Sequence, residues 1–350
     1  MATATSYAYR IHLHERGPTS ADGIIKNLKL EEIPKPQPRK GQILVRMKAA
    51  ALNYDERYKT RTVSPRVPLC DGSGIVESVN AEPGSSRWRV GDRVIVAAST
   101  SWKSAGPGTD GEMDNTTVLG ASDIDGVLQQ YVVVDEDGIV SAPDNLSFEE
   151  AASLGGAYAS AWNALFGWYV PLKAGDVVVT QGTGGVSTAV LQFAAAAGAQ
   201  VIALSSSQEK LEAAKQLGAT HGLDSNDPEW DVKVRELTDG HGADHVVDVV
   251  GASTIVRSLH ATRQGGLVTL IGFLSASEKH DLIQDIILGA KTVRGIVYAS
   301  LPMLENMNAF IQKHDLKPVL GHVFEWSQAP EAYLALLNLN TAGKVVIKVA

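Results

Sequence analysis

Asp176-Val-Val-Val-Thr-Gln-Gly-Thr-Gly-Gly-Val-Ser187 is the stretch that decides the fold. An apolar, β-branched run enters a glycine-rich turn, an alanine-rich segment with helical character continues to Gly198, and a second apolar run, Gln200 to Leu204, follows at once. Strand, turn, helix and strand in that order make the first part of a nucleotide-binding βαβ unit. Gly182 permits the tight bend and Gly184 lets the backbone approach a pyrophosphate. Beyond Thr183, the helix start at Gly185 and Val186 presents amide N–H groups and the positive end of the helix dipole to anionic oxygens. The place of the third glycine is held by Ser187, small enough for close helix packing. Alone, such a pattern also describes an ordinary tight turn; in this setting it predicts a bound dinucleotide.

The end of the second strand tells which dinucleotide. A site for NAD places an acid there, about 20 residues after the glycines, to hold the ribose 2′-hydroxyl. This chain has Ser205, Ser206 and Ser207, with Lys210 one helical turn on and no carboxylate before Glu209. Hydroxyls and an ammonium suit a 2′-phosphate, although serines are also common helix caps. The expected cofactor is NADP(H).

Composition sets the outer bounds. With 350 residues the chain has room for two domains with real cores. Its 44% hydrophobic and 20% charged content is that of an ordinary globular protein. A net charge of −8 with no basic run argues against nucleic-acid binding. The first residues, Met1 to Tyr7, do not form a secretory signal, and no uncharged apolar stretch reaches the length of a membrane span. One cysteine, Cys70, excludes a disulfide framework and a thiolate-cluster zinc site. These features predict a cytoplasmic setting.

Two regimes follow one another along the chain. From Tyr9 to about Val140, short β-branched runs (Gln42–Lys48, Gly74–Val79, Arg93–Val96, Leu128–Val134) are separated by Pro, Gly and Asp, as in a small barrel. Glu31 to Pro38 reads as an extended connection, because its prolines forbid helix. From about Phe148, strands (Asp176–Thr180, Val201–Leu204, His245–Val250, Leu267–Ile271, Thr292–Val297) alternate with helical stretches such as Gln208–Leu217, Thr254–Thr262 and Leu282–Leu288. That alternation predicts a doubly wound parallel sheet. The tail offers one helical segment, Ala332–Asn338, and a closing strand, Lys344–Val349, suited to a return to the β-rich domain. The expected domains are 1–147, 148–300 and the returning 301–350. The polar stretch Ala97 to Gly126, with Trp102 and Met113 as its large apolar residues, is either a surface insertion or a lid.

From Gly41 onward the chain resembles the medium-chain dehydrogenase/reductase family, in its zinc-independent branch of quinone and enoyl reductases. The resemblance is carried by Ala51-Leu-Asn-Tyr-Asp55, Gly91-Asp-Arg-Val94, Ala161-Trp-Asn-Ala-Leu165, Gly182-Thr-Gly-Gly-Val-Ser187, Lys215-Gln-Leu-Gly-Ala219, Ile271-Gly272 and Gly343-Lys-Val-Val-Ile347. It implies an α/β architecture, with a GroES-like, β-rich catalytic domain split around a Rossmann domain. Zinc-bearing members have a cysteine after the third strand and a Gly-His-Glu motif further on. Here those places hold Asn53-Tyr54-Asp55 and Cys70-Asp71-Gly72. Catalytic zinc takes three protein ligands, and no histidine stands nearby, so no metal is expected.

A site without a Lewis acid favours substrates whose charge spreads after hydride arrives, which points to conjugate reduction of an enone or to a quinone. The resemblance places Asn53 and Tyr54 as candidate donors, Tyr54 for a proton or hydrogen bond and Asn53 for orienting the carbonyl. The plain alternative for Tyr54 is a half-buried residue closing the barrel, and for Asp55 an acid bonded to backbone amides. For the cofactor, the resemblance adds Ser160, Lys344 and the loops Val250-Gly251 and Ile271-Gly272-Phe273. Tyr58, Trp102, Tyr131, Tyr158 and Tyr298 are the expected substrate-pocket residues. Tyr158 replaces a usual glycine, and Tyr298-Ala-Ser-Leu301 replaces a usual Gly-Ser-Arg. Two further functions stay open: a metal-free carbonyl/alcohol oxidoreductase, and a non-redox catalyst or scaffold on the same fold. The apolar edge Thr292–Val297 predicts a homodimer.

Overall fold

The computed structural model describes residues 4–12, 21–54, 65–103, 117–120, 124–276, 279–337 and 342–350. Its strands begin with β1 (Thr5–Ile11), β2 (Leu28–Pro34), β3 (Gln42–Leu52), β4 (Asp71–Asn80), β5 (Arg93–Val96), β6 (Tyr131–Asp135) and β7 (Ile139–Ser141). β8 (Val177–Gln181), β9 (Gln200–Ser205), β10 (His221–Asp224), β11 (Ala243–Asp248), β12 (Thr262–Leu270) and β13 (Thr292–Gly295) follow, then β14 (Leu320–Phe324) and β15 (Lys344–Lys348). The helices are α1 (Ala21–Asn27), α2 (Phe148–Ala152), α3 (Ala159–Phe166), α4 (Gly185–Ala196), α5 (Gln208–Gln216), α6 (Trp230–Glu236), α7 (Ile255–Ala261), α8 (Ile283–Leu288), α9 (Leu301–Lys313) and α10 (Ala329–Leu337).

The chain divides into two units, one of residues Met1–Ala159 with Tyr298–Ala350, the other of Ser160–Val297. The first division falls after the expected 147/148. Ser147 and Glu150 start α2 with a capping box, each side chain receiving the other's backbone N–H, and α2 then packs against β3 and β4.

The first unit holds a seven-stranded sheet in the order β14-β15-β3-β4-β5-β7, with β6 paired to β3. Alternation along β3 and β4 sends Ile43, Val45, Met47 and Val76 into the core, together with Val94, Val96, Val345 and Ile347. The expected connection at Glu31–Pro38 is in part a strand: β2 pairs antiparallel with β1, from Leu28 against Ile11 to Pro34 against Thr5. Pro34 sits at the strand's end, where a missing N–H costs least. Helix α9 was not expected either. Pro302 lies in its first turn, and Leu304, Met307 and Ile311 form one buried stripe at helical spacing.

The second unit is a six-stranded parallel sheet in the order β10-β9-β8-β11-β12-β13. Counted in chain order within that unit, this is 3-2-1-4-5-6, the doubly wound arrangement whose switch point lies between β8 and β11. β8 is buried along its whole length, as a central parallel strand must be. Strand β10 escaped the sequence because His221-Gly-Leu-Asp224 is short and poor in β-branched residues. The edge strand β13 ends at Gly295, two residues short of the expected Val297, and is less apolar than its neighbours. Its Arg294 binds Asn163 O at 3.0 Å and Gly167 O at 3.3 Å. Burial pulls that guanidinium's pKa down to about 10.

Candidate functional site

The glycine turn of the second unit is built as its sequence reads. Gly182 has φ +76°, and a Cβ at Gly182 or Gly184 would have nothing within 4 Å, so the chain leaves open space above both. Gly184 caps α4 without a side-chain hydrogen bond, which leaves the first-turn amides of Gly185 and Val186 for an external acceptor. Ser187, in the third glycine's place, donates from Oγ to Gln181 O at 2.6 Å and fixes the helix to the strand end. Thr183 is buried beside the turn. This cradle fits the diphosphate of a dinucleotide.

At the end of β9, Ser205 is buried and its Oγ accepts from Ser207 N. Ser207 Oγ accepts from Lys210 N and caps α5, the plain role open to this serine cluster. Ser206 is exposed and Lys210 half-buried. One residue that the sequence did not single out is Asp224, the last residue of β10, which pairs in register with Ser205.

The loops after β11 and β12 meet. Gly251 has φ +96°, and a Cβ there would lie 3.1 Å from Gly272 O; a Cβ at Gly272 would collide with Val249 O. Both glycines are therefore fixed by close backbone approach. Ile271 N donates to Asp248 O, and Ser275 N donates to Val250 O, so backbone bonds join the two loops. Phe273 is 70% exposed, and Ser160 is buried in α3.

In the first unit, the residues expected at the reacting end form a buried polar cluster. Lys344 Nζ donates to Leu52 O (2.7 Å), Asn53 Oδ1 (2.6 Å) and Asp71 Oδ2 (3.2 Å), so its three hydrogens are all committed. The Lys344 and Asp71 side chains are 3% and 0% exposed. Lys344, expected at the cofactor, is thus placed on Asp71 and the end of β3. Asn53 Nδ2 donates to Asp71 Oδ2 at 3.0 Å and points its other hydrogen toward Cys70 Sγ at 3.6 Å. The amide expected to orient a substrate carbonyl is turned inward, whereas Tyr54, the next residue, is half-buried. A π turn, Leu154–Tyr158, lies against this cluster, with Asp71 oxygens on Gly155 and Gly156; a methyl at Gly156 would stand 2.7 Å from both oxygens. π turns are frequent at functional sites.

The remaining expected residues are spread through the first unit. Tyr298 has φ +54° and brings its hydroxyl 3.7 Å from Cys70 Sγ. Tyr158 is fully buried, and its hydroxyl accepts from Val319 N at 2.9 Å, so it serves as a packing residue here. Tyr131 lies under Lys35 Nζ, 3.9 Å from its ring centre. Trp102 is half-buried, and its carbonyl accepts from Leu301 N. Asp55, Tyr58 and most of the Ala97–Gly126 segment lie outside the described residues.

The donors at the expected zinc position do not fit that ion. Among the described residues at this position, Cys70 and Asp71 are the side chains of metal-ligand type, and Asp71 already carries the Lys344 ammonium. Among the described residues, no group of three or more His, Cys, Asp or Glu side chains is placed to hold a metal.

One unit is a doubly wound sheet with an open glycine cradle suited to a dinucleotide, and the other is β-rich with a buried polar cluster. Residues 39–144 match the alcohol dehydrogenase GroES-like domain, and residues 185–313 match the zinc-binding dehydrogenase domain. A zinc-type alcohol dehydrogenase-like protein of Schizosaccharomyces pombe is 38% identical over 335 residues, 92% of this chain and 95% of its own length. A quinone oxidoreductase of Pseudomonas aeruginosa is 28% identical, over 89% of this chain and 92% of its own. The crystal structure of an NAD-dependent alcohol dehydrogenase superposes with a TM-score of 0.83 at 30% identity, covering 98% of this chain and all of its own. The chain belongs to the medium-chain dehydrogenase/reductase family.

Proposed function

We propose that this oxidoreductase is a zinc-independent, NADPH-dependent reductase of an activated C=C bond, as in an enone, or of a quinone. The observation that carries the reading is the Lys344 ammonium seated on Asp71. The carboxylate nearest the expected metal position is balanced from within the chain, which leaves no protein-held Lewis acid to polarise an isolated carbonyl. Conjugated acceptors need that polarisation least, because their charge spreads onto an oxygen that hydrogen-bond donors can stabilise.

When bound, NADPH supplies the hydride that adds to the β-carbon. Tyr54 donates a hydrogen bond to the developing enolate oxygen and a proton that completes the reduction. Lys344, Asp71 and Asn53 hold the end of β3 from which Tyr54 follows. The amides at Gly184 to Val186 bind the diphosphate, and Ser205, Ser206 and Lys210 support a 2′-phosphate.

A carbonyl/alcohol oxidoreductase is the second reading. The NAD-dependent alcohol dehydrogenase among the similar structures favours it. Asp224 bears on the cofactor alone: its carboxylate on the strand next to Ser205 suits the ribose hydroxyl of NAD(H) better than a phosphate. Self-association belongs to the lead reading. Ile283, Ile287 and Leu288 of α8 are 65%, 69% and 71% exposed, and β13 is an open edge that a second copy would cover. Among the described residues no helix is long and apolar enough to cross a membrane; the cytoplasmic setting rests on the single, buried cysteine.

The deciding experiment follows oxidation of NADPH and NADH with an enone, a quinone and a saturated ketone, each with and without chelator. Chelator-insensitive turnover confined to enone or quinone is the expected result; turnover of the ketone moves the assignment to the second reading. Tyr54→Phe should then lower kcat by about a hundredfold with NADPH affinity unchanged. Tight NADPH binding without turnover of any acceptor would sink the reductase reading and favour a non-redox role.

A further inference from the structure

The dinucleotide reading has a consequence at Asp248, the last residue of β11. This carboxylate is fully buried and has no cationic partner among the described residues. Four groups donate to it instead. Val250 N (3.0 Å) and Gly251 N (2.8 Å) bind Oδ1, Thr254 Oγ1 sits 2.9 Å from each oxygen, and Ser258 Oγ binds Oδ2 at 2.7 Å. Because the Ser258 hydroxyl spends its hydrogen on Asp248, its oxygen is left to accept from Gln181 Nε2 at 3.0 Å. Gln181 ends β8, immediately before Gly182, and its own carbonyl receives Ser187 Oγ from the first turn of α4. The Asp248 carbonyl in turn receives Ile271 N, just before Gly272.

One residue therefore links three turns at the carboxyl ends of β8, β11 and β12: its carboxylate holds the β11 turn and, through Ser258, reaches Gln181 of β8, while its backbone carbonyl holds Ile271 after β12. Strands β8 and β11 flank the switch point of the sheet. A dinucleotide lies across that point, one mononucleotide on each half. We propose that Asp248 is a positioning residue that locks the glycine turn of the adenosine half and the Val250–Gly251 turn of the nicotinamide half into one cradle. Its direct bonds go to the second turn; Ser258 carries the constraint to the first. This inference rests on the dinucleotide reading and deepens it.

Two probes separate the halves without requiring turnover: NADPH, and 2′-phospho-ADP-ribose, which lacks nicotinamide. Binding of each is followed by calorimetry, alongside thermal unfolding. Asp248→Asn should weaken NADPH by about tenfold while weakening 2′-phospho-ADP-ribose clearly less. Thr254→Val, which keeps side-chain shape and loses the hydroxyl, should repeat that asymmetry in smaller measure, and Thr254→Ser, which keeps the hydroxyl, should bind both probes as the parent does. Ser258→Ala should weaken both probes alike, since it removes one donor to Asp248 but leaves that carboxylate's bonds to Val250, Gly251 and Thr254 in place, and it severs the link to Gln181. The proposal fails if Asp248→Asn and Thr254→Val lower the melting temperature yet leave both affinities within about twofold, or lower both equally. Should Asp248→Asn not fold, the Thr254 pair decides. If the unaltered protein binds neither probe, NADH and ADP-ribose replace them in the same comparison; if it binds none of the four, the dinucleotide reading itself falls and takes this inference with it.

Discussion

Lys344 shows what a single residue can conceal. In the sequence it stands in a Gly-Lys-Val-Val-Ile run and reads as a cation for the cofactor; in the structure it is spent within the chain on Leu52, Asn53 and Asp71. No local pattern signals this, because the partners are brought together only by the pairing of β15 with β3 and of β3 with β4. Such a buried pair stabilises little compared with apolar side chains, but breaking one member leaves a stranded charge. Lys344→Met should cost about 3–5 kcal/mol in chemical unfolding, and adding Asp71→Asn should recover most of that loss. A single variant as stable as the parent would show that water already reaches the cluster. Asn53 and Tyr54 were identified from the resemblance, but the inward turn of the Asn53 amide was not legible, since it depends on where Asp71 and Cys70 stand.

Elements with strong local signals were the most legible. The β8-turn-α4-β9 unit lies within a residue or two of its expected bounds because glycine and β-branched residues dictate it. The π turn at Leu154–Tyr158 left no such mark: its reason is the close approach of Gly155 and Gly156 to Asp71, a tertiary contact. Strand β11 carries another hidden feature. His245 is buried, its Nδ1 has no hydrogen-bond partner among the described residues, and Nε2 lies 3.6 Å from Asp176 Oδ2. Burial pulls its pKa below 6.5, outweighing the attraction of Asp176 and Asp244, with Arg263 opposing protonation. The unfolded chain then binds the proton more readily than the folded one. The contribution of His245 is complete above 6.5 and is lost as pH falls from there toward the lowered value. Melting temperatures taken from about pH 8 to about pH 5 should fall less steeply for His245→Leu than for the parent; parallel curves would refute the buried-neutral assignment.

For the whole molecule, the two regimes of the sequence correspond to the two units, and the split of the first around the second was expected from the returning tail strand. The order of strands inside each sheet was not readable, because it is set by pairing between distant segments. The exposed isoleucines of α8 were also missed as surface, since an apolar helix stripe in a sequence does not say which side is covered. If a second copy covers them, Ile287→Glu should shift the molar mass seen by light scattering from dimer to monomer without loss of secondary structure. An unchanged dimer would place the interface elsewhere.

The position of β15 bears on how the protein is made. It lies inside its sheet, between β14 and β3, and Lys344 closes on a carbonyl 292 positions earlier. A ribosome releases the complete second unit well before this strand emerges, so that unit can fold while the nascent first unit still lacks an inner strand. Until β15 emerges, β3 keeps an unpaired edge beside the corner that carries Tyr54, and the polar cluster has no cation. Assembly of this corner therefore waits on β15, and that unfinished edge is where a chaperone would engage the growing chain.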